Sequence, residues 1–484
     1  MRLHGMPPPR WMLLWLGLAA ILVGCATGPH HRVTLGAGGS ASSIASWTVL
    51  DASPLPDGRV VVAGRYEGHR GEAAQWLPRT AGDGVAAVSA RGTLDWVIAA
   101  KAGGDQRTFR ISVASDGATW ILARNYGEFV DARTTKPRGE QERTALTRVS
   151  RDGQIERTIT MSALKIVEDT LPYFVAATPD GGAIAVLGSS HGVVVVRVGH
   201  DGGARYVRRL DRGAERAPSD GGIAVRGVLH GKALYLAGAG TALYVTTEPR
   251  PQIDAKWIAP DGTYHGPTVL QIDVDSGAPR VFPLERTWNP AGSGYPAGIA
   301  VVGNRVILAR NGSHASRVTL HDPTTLTEER SLYTVEHAQI QGMTADGDAH
   351  VLVVTRQRGQ VTVRYGTIAG ETRTVPPTSA ALVAQRFDVA TGAASVVTVA
   401  TSASADPDTD VGGSIEPVAT AVGVVGAVVI IGTFSGLLHI DHRGPLRGTY
   451  GTEDRCNQEG YDHREGCDRV FWDAPTAFVI RRPR

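Results

Sequence analysis

The chain has 484 residues, with 49 Lys plus Arg against 47 Asp plus Glu, so its formal charge is only +2. It carries no basic block, which excludes the electrostatic footprint of a nucleic-acid binder. A 42% hydrophobic content suffices for a core, and 59 Gly with 27 Pro point to many turns. Length alone suggests about three domains, a default that an internal repeat overrides. In chain order, the first ten residues hold Arg2 and Arg10 and no acid, and an uncharged apolar run from Trp11 to Gly24 follows. These are the n-region and h-region of a secretory signal. At about 14 residues, the run is short of the roughly 20 that a membrane-spanning helix needs.

Leu22-Val23-Gly24-Cys25 resembles the bacterial lipobox, in which small residues precede a cysteine that is acylated and becomes residue one. The resemblance implies a signal peptide over 1–24, removed on export, and a lipid anchor of the palmitate type on Cys25. Several acyl chains, at about 0.8 kcal/mol per buried methylene, make such an anchor effectively permanent. Ala26 stands where an aspartate favours inner-membrane retention, so the resemblance implies the outer membrane, with the protein facing the periplasm or the cell surface. Residues 25–43 are rich in glycine and small residues without hydrophobic period, and they read as a flexible tether. His30 and His31 lie in it, where a mobile segment lacks the fixed geometry that metal sites need.

Beyond the tether one segment recurs, an apolar β-rich run often introduced by Asp-Gly. The clearest copies are Pro56-Asp-Gly-Arg-Val-Val-Val-Ala-Gly64, Ser115-Asp-Gly-Ala-Thr-Trp-Ile-Leu-Ala123 and Pro179-Asp-Gly-Gly-Ala-Ile-Ala-Val-Leu-Gly188. Weaker copies follow around Leu234, Val306, Val351 and Val428. With Val60, Trp120 and Ile184, these seven points are spaced 60, 64, 50, 72, 45 and 77 residues apart. Asp-Gly predicts a positive-φ hairpin turn and the Val/Ile-rich run a buried strand. Strand-like segments such as Val193 to Val198, Gln271 to Val274 and Val361 to Tyr365 fill the gaps. A unit of about 60 residues with roughly four short strands cannot bury both faces of its own sheet, and radial packing solves this.

The stretch Trp96 to Asp105, then Ile111 to Gly117, then Trp120 to Phe129 resembles the repeat of bacterial secreted β-propellers. The likeness lies in the order tryptophan, Gly-Gly, Ile-x-Val strand, Asp-Gly turn, aromatic strand and closing phenylalanine. Asp273-Val-Asp-Ser-Gly277 and Asp388-Val-Ala-Thr-Gly392 are similar to phrases of quinoprotein-like propellers and are also common turn chemistry. The expectation is an all-β fold, a β-propeller of seven blades with four antiparallel strands each, occupying 44–484. Trp47 to Leu50 and Ala477 to Ile480 are the strands expected to close the ring.

Candidate chemistry is sparse. Cys25 being assigned to lipid, Cys456 and Cys467 remain and flank a polar loop; in an oxidising compartment they pair as a disulfide. A metal site using Cys456, His463 and Cys467 is the alternative, though it lacks a fourth ligand. Asp406, Asp408 and Asp410 alternate as in calcium loops, but Val411 and Pro417 stand where the loop's glycine and bidentate glutamate belong. A solvated acidic loop is the other reading, and no other cofactor is expected. There is no Gly-x-Ser-x-Gly elbow, and Gly36 to Gly39 and Gly238 to Gly240 lack a βαβ context for nucleotides. His191, His200, His265 and His314 read as surface residues in turns. Trp76, Trp96, Trp120, Trp257, Trp288 and Trp472 suit inter-blade packing, with a carbohydrate platform as the alternative. Carboxylates from different units can still meet at the ring's centre.

The reading that follows is a lipid-anchored envelope propeller, a non-catalytic module that binds or scaffolds an envelope protein. The competing classes are a secreted propeller enzyme, a lyase or hydrolase of glycan or peptide, and a carbohydrate-binding module.

Overall fold

The computed structural model describes residues 30–34, 43–57, 59–70, 81–88, 94–100, 109–124, 129–130, 144–166, 170–189, 191–211, 225–243, 245, 267–283, 296–312, 315–365, 372–401, 416–425, 428–437, 451–454, 469–472 and 476–481. After β1 (His30–Thr34), the first antiparallel sheet takes β2 (Ser43–Pro54), β3 (Val60–Arg70), β4 (Ala81–Val88) and β5 (Leu94–Ala100) in that order. The second sheet begins with β6 (Phe109–Val113) and β7 (Thr119–Arg124). A two-residue β8 (Phe129–Val130) then pairs back to β5, before β9 (Thr144–Val149) and β10 (Ile155–Thr160) complete the second sheet. The third is β11 (Thr170–Ala177), β12 (Ala183–Ser189), β13 (Gly192–Val198) and β14 (Ala204–Asp211). The fourth is β15 (Arg226–His230), β16 (Ala233–Ala239), β17 (Pro267–Asp273) and β18 (Pro279–Pro283), with a four-residue helix α1 (Gly240–Leu243) after β16.

The fifth and sixth sheets are continuous through β19 (Pro296–Val302), β20 (Arg305–Asn311), β21 (Ala315–His321), β22 (Glu328–Asp346), β23 (His350–Tyr365), β24 (Thr372–Asp388) and β25 (Ala394–Thr401). The 19-residue β22 is the outer strand of one over 328–336, against β21, and the inner strand of the next over 338–346, against β23. A last sheet holds β26 (Glu416–Val425), β27 (Val428–Leu437), β28 (Gly451–Asp454), β29 (Arg469–Trp472) and β30 (Thr476–Arg481), and β1 joins it beside β30.

The core lies between sheets. Trp96 and Ile98 of the first pack with Ile111, Ile121 and Val149 of the second. Trp120 and Leu122 pack with Val175 and Leu187 of the third, and the same arrangement joins third to fourth, fourth to fifth and fifth to sixth. The second to fifth sheets thus bury both faces, at about 1.5–3 kcal/mol per large apolar side chain removed from water. The inner strands neighbour one another in the circuit β2, β6, β11, β15, β19, β22, β26 and back to β2. This is a β-propeller, and each sheet is a blade.

The Asp-Gly turns have the positive φ that the sequence suggests, and their hydrogen bonds define the loop that carries it. In the β6–β7 hairpin the Ala114 amide donates to the Ala118 carbonyl (2.8 Å) and the Gly117 amide to the Ala114 carbonyl (2.9 Å). The turns at Ser150, Thr178 and Gly199 repeat the pattern. Only the glycine has positive φ, between +76° and +85° at Gly117, Gly153, Gly181 and Gly202, which makes each a three-residue bulged loop. Asp116, Asp180 and Asp201 accept from the amide two residues on, Asp116 from Ala118 at 3.0 Å, whereas in the Ser150 turn the Gln154 amide donates to the Ser150 hydroxyl.

Ring closure also differs. Ala477 to Ile480 does pair near the amino terminus, but with residues 30–33 of β1; Trp47 to Leu50 lies in β2, paired to β3. Six residues of the expected tether are therefore strand, five in β1 and Ser43 at the start of β2. The glycines and small residues of 25–43 carry no apolar period, and β1 pairs through its backbone, which needs none.

Candidate functional site

The inner strands converge on a cavity of about 140 Å³ at the ring's centre. Its wall includes Asp51 of β2, Arg110 of β6, Phe174 of β11, Arg226 of β15, Gly298 of β19 and Met343 of β22. Four of these six strands are bulged there, with register shifts at Val49/Asp51, Pro172/Phe174, Pro296/Gly298 and Ile340/Gly342. A bulge re-aims the side chains that follow it, and bulges concentrate beside functional sites. Gly298 admits the close approach of β22: a Cβ there would lie 2.8 Å from the Met343 Cβ.

Asp51 is the only carboxylate lining the cavity among the described residues. Its Oδ2 accepts from the Ile111 amide of the second blade (2.9 Å) and its Oδ1 from its neighbour Ala52 (2.9 Å). Burial pushes its carboxyl above the usual carboxylate range, opposed by the Arg110 charge, these two amides and Arg226. Arg110 donates from Nε to the Tyr173 carbonyl of the third blade at 3.0 Å. Burial lowers the Arg226 guanidinium below its ordinary value, with the Arg110 charge adding to this and Asp51 opposing it. The Nε of Arg226 is buried with no hydrogen-bond partner. Among the described residues, the charged groups on its wall are two guanidiniums and one carboxylate.

A second polar cluster lies inside the fifth blade. Arg310, 5% exposed, donates to Glu328 (3.0 Å) and to the Thr319 hydroxyl (3.1 Å). Thr319 donates on to His321 Nε2 (2.8 Å), and His321 Nδ1 donates to the Leu326 carbonyl (2.9 Å). Burial brings the His321 imidazole down to about 4. Every one of these partners belongs to the fifth blade, so the cluster braces that blade.

Cys25, Cys456, Cys467, Asp406, Asp408 and Asp410 lie outside the described residues, as do Trp76, Trp257, Trp288, His265 and His314. Among the described residues no three His, Cys, Asp or Glu side chains gather as a metal site. His191 and His200 are exposed in turns, as the sequence suggests. Trp96 and Trp120 are buried between blades, their indoles donating to the carbonyls of Arg151 (3.0 Å) and Gly181 (3.2 Å) in the next blade. They are packing residues, not a sugar platform.

No protein-family model matches the chain, and no curated protein matches its sequence. Solved structures resemble it in fold. The β-propeller domain of the Trilobed protease from Pyrococcus furiosus is 8% identical, with 81% of this chain and 95% of that one aligned at a TM-score of 0.39. The β-propeller domain of Cps50 from Myceliophteria thermophila is 10% identical over 77% of this chain and all of that one, at 0.39. Prolyl oligopeptidase B from Galerina marginata is 12% identical over 81% of this chain, at 0.39; the alignment spans 47% of that enzyme's length.

Proposed function

We propose that the protein is a seven-bladed, lipid-anchored propeller of the bacterial cell envelope, a non-catalytic module that binds or scaffolds an envelope protein. The observation that carries the non-catalytic reading is the state of Asp51. Its oxygens accept two backbone amides and stitch the first blade to the second, so its carboxylate serves the ring. The groups it leaves facing the cavity are guanidiniums, which recognise ligands and do not exchange protons near neutral pH.

The anchor rests on the lipobox-like Leu22 to Cys25, and β1 gives it a geometric consequence. β1 starts five residues after Cys25, a reach of at most roughly 18 Å. The closing blade is then the part held nearest the outer membrane, and the opposite blades are free to meet a partner. The test combines acyl labelling with crosslinking and affinity capture from native membranes. Wild-type protein should incorporate a palmitate analogue and recover one envelope protein reproducibly, while Cys25→Ala should lose the label and move to the soluble fraction. Unlabelled protein would end the anchor reading, and a capture that recovers no partner alongside glycan cleavage or glycan binding would end the scaffold reading.

A further inference from the structure

The central cavity has an unanswered donor. A buried hydrogen-bonding group left unpaired is costly, more so when charged, and native structures leave few of them. The Nε of Arg226, a residue that lines the central cavity, is one. The carboxylate on this wall, Asp51, is already accepting from Ala52 and Ile111. Around Arg226 the wall is apolar at Phe174 and Met343 and free of side chain at Gly227 and Gly298. A Cβ on Gly227 would press on Leu236 and Phe174 at 2.7 and 2.9 Å. The space is therefore shaped for a small group with an anionic end and an apolar flank. The guanidinium fork matches the two oxygens of a carboxylate or a phosphate.

We propose that the propeller's central cavity is a binding site for a small oxyanion, a carboxylate or phosphate group, held by Arg226 with Arg110 adding its charge. This goes beyond the envelope-scaffold reading and stands whether or not Cys25 is acylated.

The test is calorimetric titration of the purified full-length chain with succinate and, separately, inorganic phosphate, at low ionic strength. One site per chain should saturate with at least one probe. Binding by succinate alone assigns a carboxylate ligand, by phosphate alone a phosphate ligand, and by both a general oxyanion site. Arg226→Gln should weaken binding about ten-fold, the value of one charge-assisted bond. Gln341→Glu, nearly isosteric, sets a carboxylate on the β22 wall of the cavity and should weaken binding by a similar factor. It carries the test if Arg226→Gln fails to fold. Absence of binding by both probes, or equal binding by wild type and the folded variants, overturns the proposal.

Discussion

Between blades 1 and 2 and between blades 2 and 3, an indole reaches across and donates to a carbonyl in the next blade's Asp-Gly turn, Trp96 to Arg151 and Trp120 to Gly181. From blade 3 to blade 6 an outer-strand guanidinium does this work. Arg208 of β14 donates to the Ser276 carbonyl (3.2 Å), Arg280 of β18 to Thr324 (3.1 Å), and Arg330 of β22 to Ala390 (2.8 Å) and Val389. The receiving turns differ to match. The later ones are longer, running Asp273 to Gly277, Asp322 to Leu326 and Asp388 to Gly392, each closed by the amide of its last residue on the aspartate carbonyl. One topology thus uses two locks, one apolar and buried, one charged and partly exposed. They should fail under different stresses.

The largest effect is expected at the indole lock. Trp120 is fully buried, and its truncation empties a cavity between blades as well as removing the bond to Gly181. Trp120→Ala should cost about 4 kcal/mol by denaturant unfolding. Acid should act on the later blades first. His321 is held neutral, with its imidazole at about 4 against the 6.5 of an unfolded chain. As pH falls the unfolded chain takes up that proton first. Stability present above pH about 6.5 is therefore lost between about 6.5 and 4, by on the order of 3 kcal/mol. His321→Gln should flatten that part of the curve. In blade 3, burial raises the Asp180 carboxyl, yet Arg197, the Thr178 hydroxyl and the Gly182 amide outweigh it and bring the group to about 2. Its contribution survives until pH falls below about 4. Amide exchange at pH 5 should accordingly open β21 before β12; the reverse order would break the contrast.

At the guanidinium lock, Arg330→Met keeps the apolar stem and removes the donor. The residue is only partly buried, so the cost should be about 1–2 kcal/mol. A loss as large as that of Trp120→Ala would show the two locks to be equivalent.

Much of this frame was legible in advance. Val60, Trp120, Ile184, Leu234, Val306, Val351 and Val428 each fall on the second strand of successive blades, β3, β7, β12, β16, β20, β23 and β27. A second strand is covered on both faces and follows a tight hairpin, so it shows as an apolar run behind a turn signal. Inner strands are different, because their cavity-facing residues belong to separate repeats. Asp51, Arg110 and Arg226 are lone charges in separate strands, and no spacing in the chain announces that they share a wall. β1 was hidden for another reason, since a strand that pairs by backbone at the rim needs no apolar alternation. The turn phrases at Asp273 and Asp388 were visible, but their kinship with Asp322 was not, because Leu326 replaces the glycine there at φ +53°.

The smallest prediction separates the two turn types. In the short turns Asp116 and Asp201 accept an amide alone through Oδ1, and Asp180 adds a hydroxyl from Thr178 ahead of the turn. In the longer ones the same oxygen also takes a hydroxyl: Asp388 accepts from the Thr391 amide (2.7 Å) and the Thr391 hydroxyl (2.8 Å). Both bonds favour the charged carboxylate, and together they hold Asp388 below the usual range. Thr391→Ala keeps the amide and deletes the hydroxyl, so it should cost about 0.5–1 kcal/mol, while Thr391→Ser should cost less than half of that. Stability curves of both variants check the point. An equal loss in Ser and Ala would assign the effect to the threonine methyl, and the longer turn would then be held by its backbone bonds as the short one is.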